Sequence, residues 1–132
     1  MKVKFNINTK PVPKGRPRLG KGGKVFTPKT TQVFEEICAL SYGNRHYFGK
    51  DYISIKIIFN FEIPKSYTKK RHQDALEGKI KPSKNDIDNL IKSVLDGLNG
   101  KAWEDDRYII HLEAEKRYNT RDFIEIEIEN IN

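Results

Sequence analysis

The sequence has very little cysteine and no long apolar run. Cys38 is the single cysteine among 132 residues, so a disulfide within the chain and a paired-cysteine metal clamp are both excluded. Its neighbours Ile37, Ala39 and Leu40 are apolar, which indicates packing rather than nucleophilic chemistry. This cysteine usage is typical of a reducing cytoplasm. Because every apolar stretch is far shorter than a membrane span, we expect a soluble, unexported, cytoplasmic protein without membrane association.

Histidine is also scarce, and acidic residues are outnumbered by basic ones. The three histidines, His46, His72 and His111, have no shared metal-ligand spacing. Lysine and arginine total 25 against 18 aspartates and glutamates, which gives a net charge of +7. A surplus of this size attracts phosphate backbones, but it is also found on the solvated surfaces of many soluble domains. Net charge therefore predicts a nucleic-acid partner only if a second feature agrees with it.

The chain length fits one domain, residues 1–132, with enough apolar material for a single core. Two-residue alternation of apolar and polar side chains predicts four strands, near residues 3–7, 53–63, 108–114 and 124–128. The 53–63 run is the longest and is apolar on part of its second face, which is typical of a central strand. The last two strands are predicted to form a hairpin through Asn119-Thr120-Arg121.

Helical spacing of apolar residues occurs twice. The first helix is predicted to be capped by Thr30 or Thr31 and to run to about Asn44. The second begins near Ile87 and stops at the pair Asn99-Gly100. The element order is then β-α-β-α-β-β, which predicts an α+β domain with two helices packed on a mixed four-stranded sheet.

Two segments, at about 14–29 and 64–84, are basic and poor in apolar residues, which predicts loops. Both segments are candidates for binding DNA arms through phosphates, and the second can become ordered when it binds a partner. The alternative is a pair of solvated, mobile loops. The candidate DNA contacts are Lys14, Arg16, Arg18, Lys69, Lys70 and Arg71.

An acidic cluster interrupts this basic chain at Asp86, Asp88, Asp105 and Asp106. Side chains two residues apart diverge within a helix, but they can converge where the chain enters one. If Asp86, Asp88 and Asp106 meet, a hard divalent cation would relieve their repulsion, and Mg²⁺ prefers such oxygen-rich, partly hydrated surroundings. The sequence does not by itself show that the three meet.

Lys92 follows Asp88 by one helical turn, where it can neutralise a scissile phosphate or support a carboxylate. The structural alternative is that Asp86 or Asn85 caps the helix, that Asp88 is a favourable first-turn charge, and that Asp88 forms an ordinary surface pair with Lys92. For each of these pairs taken alone, the structural alternative is favoured.

The ordered motifs of the chain resemble the signature of the RusA family of Holliday junction resolvases. The motifs that carry the resemblance are Asp86-Ile87-Asp88-Asn89-Leu90-Ile91-Lys92, Asp96-Gly97-Leu98-Asn99 and Trp103-Glu104-Asp105-Asp106. It extends to Pro13-Lys14-Gly15-Arg16-Pro17-Arg18, to Phe26-Thr27-Pro28, and to Lys116 and Tyr118, so it covers most of the chain.

The resemblance implies a small homodimeric endonuclease of bacteria and their prophages. Such an enzyme resolves four-way DNA junctions by paired nicks in recombination and repair, with Mg²⁺ as cofactor and Mn²⁺ as a substitute. The metal-binding aspartates carry over to Asp86, Asp88 and Asp106, and the essential lysine to Lys92. Asp105 matches a neighbouring acid that is a further metal candidate. One departure is visible, because Lys84-Asn85 stands where related sequences often have Lys-Pro.

Two other classes of function are compatible with the composition. A non-catalytic branched-DNA-binding protein of the same fold would bind junctions without cutting them. A structural or protein-interaction domain would use its basic surplus for solubility and show no preference for DNA. The intact acidic set favours the nuclease over both.

Overall fold

A mixed four-stranded sheet forms the centre of the computed structural model, which describes residues 1–15, 18–26 and 28–131. For Arg18 and Phe26 it describes only the backbone. In chain order the strands β1 to β6 are Lys2–Ile7, Arg18–Leu19, Val25–Phe26, Ile53–Glu62, Ile109–Asn119 and Phe123–Asn130. The helices α1 to α3 are Lys29–Tyr42, Lys69–Leu76 and Ile87–Leu98.

The sheet order is β1-β6-β4-β5, which confirms the α+β class and the central place of β4. Strand β4 is antiparallel to β6 but parallel to β5. The predicted hairpin between β5 and β6 is therefore wrong, because β4 lies between them. Their short connection passes over the end of β4, where the Asp122 carboxylate accepts a hydrogen bond from the Glu62 amide at 2.8 Å. Alternation identifies a strand but does not choose its neighbour.

One face of the sheet carries the core, beneath α1 and α3. Along β4 the five residues on this face are buried, while Lys56 on the other face is exposed. Helix α3 has the predicted stripe, with Leu90, Val94 and Leu98 fully buried. The two helices approach closely at Gly97, where an added Cβ would lie 2.7 Å from the Cβ of Cys38. The core residues of β4 are Ile53, Ile55, Ile57, Phe59 and Phe61.

Helix α1 begins earlier than expected. Its N-cap is Pro28, whose carbonyl accepts the Thr31 amide, so the prediction of a Thr30 or Thr31 cap is wrong. The Thr31 side chain is buried and accepts a hydrogen bond from the Gly15 amide at 3.1 Å instead. The buried stripe of the helix consists of Phe34, Cys38 and Tyr42 together with Thr31. Cys38 is fully buried in the core, which confirms its packing role, and this burial raises the pKa of its thiol to about 12.

The two basic segments are more ordered than predicted. The segment at 14–29 contains the β2–β3 pair and the first residue of α1. The segment at 64–84 contains α2, so the described residues form three helices rather than two. The Thr68 hydroxyl caps α2 by accepting the Arg71 amide at 3.2 Å. This helix was missed because Ala75 is its single buried residue, which leaves no apolar stripe to detect. In the described part of the chain, no helix has the length and apolarity to cross a membrane.

Candidate active site

Two free carboxylates stand at the start of α3. Asp86 is the N-cap residue in an extended conformation, but its side chain makes no capping hydrogen bond. Asp88 lies in the first turn, and both residues are exposed. Among the described residues, neither carboxylate has an ion pair or hydrogen-bond partner. The positive end of the helix dipole stabilises both charges.

The residue before Asp86 has an unusual backbone. Asn85 has φ +71°, the single positive φ among the described residues other than glycine. Asparagine tolerates this left-handed conformation, whereas proline, with φ fixed near about −65°, cannot adopt it. The Asn85 carbonyl accepts a hydrogen bond from the Lys116 ammonium on β5 at 2.8 Å. The departure from Lys-Pro therefore coincides with a chain path that asparagine permits, and Lys116 anchors this entry into α3.

A series of ion pairs lies along the second half of α3. The Lys92 ammonium donates to Asp96 Oδ1 at 2.7 Å, one turn further along the helix. Lys14 lies 2.9 Å from Asp96 Oδ2 and 3.3 Å from Glu35 of α1. Asp96 is therefore shared by two lysines. We call Lys92, Asp96, Lys14 and Glu35 the lysine-carboxylate chain.

The main chain holds Lys14 in this position. Its amide donates to the Asn89 carbonyl of α3 at 2.9 Å, and the next amide, of Gly15, donates to Thr31 of α1. The start of the first basic segment is thus pinned to both helices. Lys14 was predicted to contact DNA, but the structure places its half-buried side chain among carboxylates.

These contacts shift the pKa values of Lys14 and Asp96 in the lysine-carboxylate chain. Burial acts to lower the pKa of Lys14, but the carboxylates of Asp96 and Glu35 outweigh it and raise that pKa. Burial likewise acts to raise the pKa of Asp96, but Lys92 and Lys14 outweigh it and hold that pKa below its usual value. Both groups are therefore kept in their charged forms.

The pKa of Asp106 shifts in the opposite direction to that of Asp96. Burial raises the pKa of its carboxyl, a hydrogen bond from Trp103 opposes the rise, and the nearby charge of Asp96 adds to it. The indole Nε1–H of Trp103 donates to Asp106 Oδ1 at 2.8 Å, and Trp103 is fully buried. Lys92 is close enough to act on Asp106 electrostatically. Neighbouring Asp105 is exposed and accepts the Arg107 amide at 2.9 Å.

The structure thus brings some of the predicted site residues together and leaves others apart. Lys92 and Asp106 lie in one electrostatic group around Asp96. Asp86 and Asp88 stand at the beginning of the helix, outside that group. Among the residues that the structure describes, no group of three or more histidine, cysteine, aspartate or glutamate side chains is arranged to hold a metal ion.

Three of the four members of the lysine-carboxylate chain were unexpected, because Asp96 and Glu35 were not predicted as site residues and Lys14 was given another role. Asp96 stands four residues after Lys92, so i,i+4 pairing was a signal that pointed to it. Lys14 carried no such signal, because it reaches Asp96 from a distant part of the sequence through the fold. Residues that meet only in three dimensions leave no local spacing to detect.

The candidate DNA contacts of the second basic segment lie at the start of α2. Lys69, Lys70 and Arg71 are all exposed, and the Arg71 guanidinium lies over the Tyr67 ring at 4.5 Å from its centroid. The Tyr67 hydroxyl is 3.4 Å from that of Tyr118, so this end of α2 is held against β5. Of the first segment's candidates, Arg16 and the Arg18 side chain lie outside the described residues.

Comparison with known proteins identifies one family. The model of the family described as Endodeoxyribonuclease RusA matches residues 8–129, nearly the whole chain. The uncharacterized protein YqaN of Bacillus subtilis (strain 168) is 28% identical over 138 aligned residues, which cover 98% of this chain and 97% of that protein. The match therefore includes both ends of α3 and the lysine-carboxylate chain.

Proposed function

Because the chain belongs to the RusA family of endodeoxyribonucleases, we propose that it is a Mg²⁺-dependent nuclease that resolves four-way DNA junctions by paired symmetric nicks. The observation that carries the proposal is the pair of free carboxylates, Asp86 and Asp88, on a protein of net charge +7. Exposed acids without partners contribute little to the stability of a fold, and at this position they gain only from the helix dipole. On a protein that attracts polyanions, they are suited to holding a cation between protein and phosphate.

The charge distribution supports DNA binding on the helical side of the sheet. The opposite face carries glutamates from β5 and β6, and Lys4 pairs there with Glu127 at 3.2 Å. Cross-strand neighbours on that face also set Lys56 beside Glu113 and Glu127. Lysines that already face glutamates attract a phosphate backbone weakly. The exposed cations of α2 have fewer acidic neighbours, with Lys70 3.9 Å from Asp74.

The donor chemistry fits Mg²⁺. Asp86 and Asp88 offer oxygen ligands without competing partners, and the raised pKa of Asp106 reflects a carboxylate that would gain from a nearby positive charge. Mg²⁺ commonly uses only one or two carboxylates and takes its remaining ligands from water and substrate phosphates, so a closed protein cage is unnecessary. We propose Asp86 and Asp88 as its protein ligands. Asp106, which lies beyond the opposite end of α3, and Asp105 are further candidates, and Mn²⁺ is a substitute. When bound, the cation supplies charge neutralisation at the phosphodiester and lowers the pKa of water.

Lys92 is proposed to stabilise the negative charge that develops on the scissile phosphate. Its side chain is 58% exposed, so it can turn from Asp96 toward a substrate. Lys14 keeps its own contact with Asp96 at 2.9 Å, so the Asp96 charge stays compensated after Lys92 leaves. Asp96 is therefore a positioning residue, which orients Lys92 through their ion pair. Lys14 in turn holds the Asp96 carboxylate in place.

A homodimer follows from the proposed reaction. A four-way junction is two-fold symmetric, and two symmetric cuts are most simply made by two sites related by a two-fold axis. The exposed α2 residues Lys69, Lys70 and Arg71 would then contact junction arms through phosphates in both copies.

The deciding experiment compares cleavage of a synthetic mobile four-way junction with cleavage of a linear duplex of the same sequence, with and without Mg²⁺. Asp88→Asn is measured in parallel, and Asp51→Asn, which changes another exposed aspartate, is the matched control. We expect paired nicks confined to the junction, retained in Asp51→Asn and reduced about 100-fold or more in Asp88→Asn. Junction affinity should be unchanged in Asp88→Asn.

Each other result has a defined meaning. Tight junction binding without cutting under any divalent cation would identify a branched-DNA-binding protein and reject the nuclease. Equal cutting of junction and duplex would keep the nuclease and reject junction specificity. Cutting by Asp88→Asn at the parental rate would remove Asp88 from the site.

A further inference from the structure

The outer edge of β5 has no strand partner among the described residues, and we propose that a second copy of the chain binds there. Strand β5 pairs with β4 on one side only and ends the sheet. At Ile109–Asn119 it is also the longest strand. An unpaired edge presents a row of free amide and carbonyl groups that another strand can complete.

The first half of this edge is also apolar and uncovered. Ile110 is 57% exposed and Leu112 is 36% exposed. Between and beside them, the side chains of His111 and Glu113 are both more than half exposed. Four consecutive exposed residues, two of them large and apolar, are unusual in the longest strand of a sheet and indicate a surface that a partner covers.

The opposite edge of the sheet differs in each of these respects. Strand β1 has six residues, and its outward face carries Lys2 and Lys4. Lys2 is 3.2 Å from Glu129 and Lys4 is 3.2 Å from Glu127. Short length and charged side chains are the usual protection of an edge against pairing with another strand. The protein therefore protects one edge and leaves the other open.

The residue order of β5 makes the strand complementary to itself. In an antiparallel pair about a two-fold axis centred on Leu112, the two Leu112 side chains face each other and Ile110 faces Ala114. His111 of each copy then faces Glu113 of the other. Centres on residues 113 to 117 each place like charges opposite one another, Glu with Glu, Lys with Lys or Arg with Arg. Self-complementarity of this kind favours a second copy over an unrelated peptide.

The same register avoids the part of β5 that is already occupied. Tyr118 is held by Tyr67, and Lys116 by Asn85, so α2 and the entry to α3 lie at the second half of the strand. Pairing centred on Leu112 uses residues 109–115 and leaves Tyr118 free for its own contacts. This surface rests on the proposed function for its role, since it gives the homodimer a location, but it is tested by association rather than by cleavage.

Cross-linking through an introduced cysteine tests the register directly. Facing residues of an antiparallel pair have Cα atoms about 4.5–5.5 Å apart, within reach of a disulfide. The parent protein gives no background because Cys38 is fully buried. We expect Leu112→Cys to form a covalent dimer under mild oxidation, at least about tenfold faster than Leu40→Cys or Glu115→Cys. Leu40 is 80% exposed on α1, and Glu115 faces Ile109 in this register.

A second measurement covers the case in which geometry prevents the disulfide. Leu112→Arg should weaken self-association by about 30-fold or more in sedimentation equilibrium, because two charges would meet at the axis. Leu40→Arg should leave it unchanged. Equal association of both variants would overturn the proposal, as would faster cross-linking through Glu115→Cys. Cleavage by the parent is measured separately, so an active nuclease that does not associate through β5 would reject this surface and retain the proposed function.

Discussion

The two ends of α3 carry aspartates in opposite electrostatic settings. At the start of the helix, Asp86 and Asp88 are exposed and have no partner among the described residues. In the last turn and just beyond the helix, Asp96 is shared by two lysines and Asp106 is held by Trp103. The first pair is available to a ligand and contributes little to stability. The members of the second pair are held in the fold by contacts with their neighbours.

The largest expected effect on cleavage comes from replacing Lys92. Its exposed side chain binds Asp96 and can also reach the solvent. Lys92→Ala should slow junction cleavage about 100-fold or more, because the charge that faces the phosphate is removed. Its effect on stability should stay within about 1 kcal/mol, since the pair with Asp96 is largely exposed on the lysine side. Single-turnover cleavage and thermal unfolding give the two values.

Lys101→Ala, which removes another exposed lysine, is the control for Lys92→Ala. A cleavage rate within about threefold of the parent for Lys92→Ala would exclude a role for this ammonium in the reaction.

The next effect in size is that of Asp96→Asn, which removes the shared carboxylate. Lys14 would keep only Glu35 at 3.3 Å, so we expect a loss of about 1–2 kcal/mol in the free energy of unfolding. Cleavage should slow by about tenfold, because Lys92 is no longer held in place. In a double-mutant cycle, the cleavage effect of Asp96→Asn should vanish in the Lys92→Ala background. Full additivity would show that Asp96 acts independently of Lys92.

A smaller effect concerns the pH dependence of stability. The pKa values of Asp96 and Asp106 are shifted in opposite directions, so the two residues affect stability with opposite signs. The pKa of Asp106 is raised, so the folded protein binds more protons than the unfolded chain and stability falls as pH rises through that window. The pKa of Asp96 is lowered, so its contribution is present above the ordinary carboxyl pKa and is lost as pH falls through the folded value.

Thermal unfolding across the acidic range measures both contributions. Asp106→Asn should raise the neutral-pH melting temperature by roughly 3 °C, and Asp96→Asn should remove part of the acid-side loss. A lower melting temperature for Asp106→Asn at neutral pH would show that its charge is not a cost to the fold.

The smallest effect is expected at α2, which lies at the same half of β5 as the entry to α3. Replacing Lys69, Lys70 and Arg71 by Ala should reduce the slope of log affinity against log salt by up to about 0.9 for each phosphate that the variant no longer neutralises. The matched control replaces Lys2, Lys4 and Lys56, which lie beside glutamates on the opposite face. An unchanged slope in the α2 variant would exclude this helix from the DNA surface.

Periodicity predicted the elements that cover the core and missed those that do not. Helix α3 and strand β4 could be identified because one side of each is buried. Helix α2 buries only Ala75, so its capping residue Thr68 was the sole local signal. The β5–β6 hairpin was wrong for a different reason, since alternation reports burial and the pairing partner depends on the whole sheet.

The candidate site likewise contains residues that the sequence could identify and one that it could not. Asp86, Asp88, Lys92 and Asp106 were singled out from motif resemblance and local spacing, while Lys14 joined the carboxylates only in the folded chain. The sequence placed Lys14 in a basic segment, where a contact with phosphate was the natural expectation. The amide contacts to Asn89 and Thr31 that turn this residue inward are made by the backbone of residues 14 and 15, which no side-chain pattern reveals.

Trp103 is the single tryptophan of the chain, and its indole donates to Asp106. The tryptophan fluorescence of the protein therefore arises from one ring, which is buried in the core and hydrogen-bonded to a carboxylate of the candidate site. A proton or a cation on that carboxylate changes the charge beside the excited indole. Titrations with acid or with divalent cations can thus be followed on the unlabelled protein, with an optical signal that originates at Asp106.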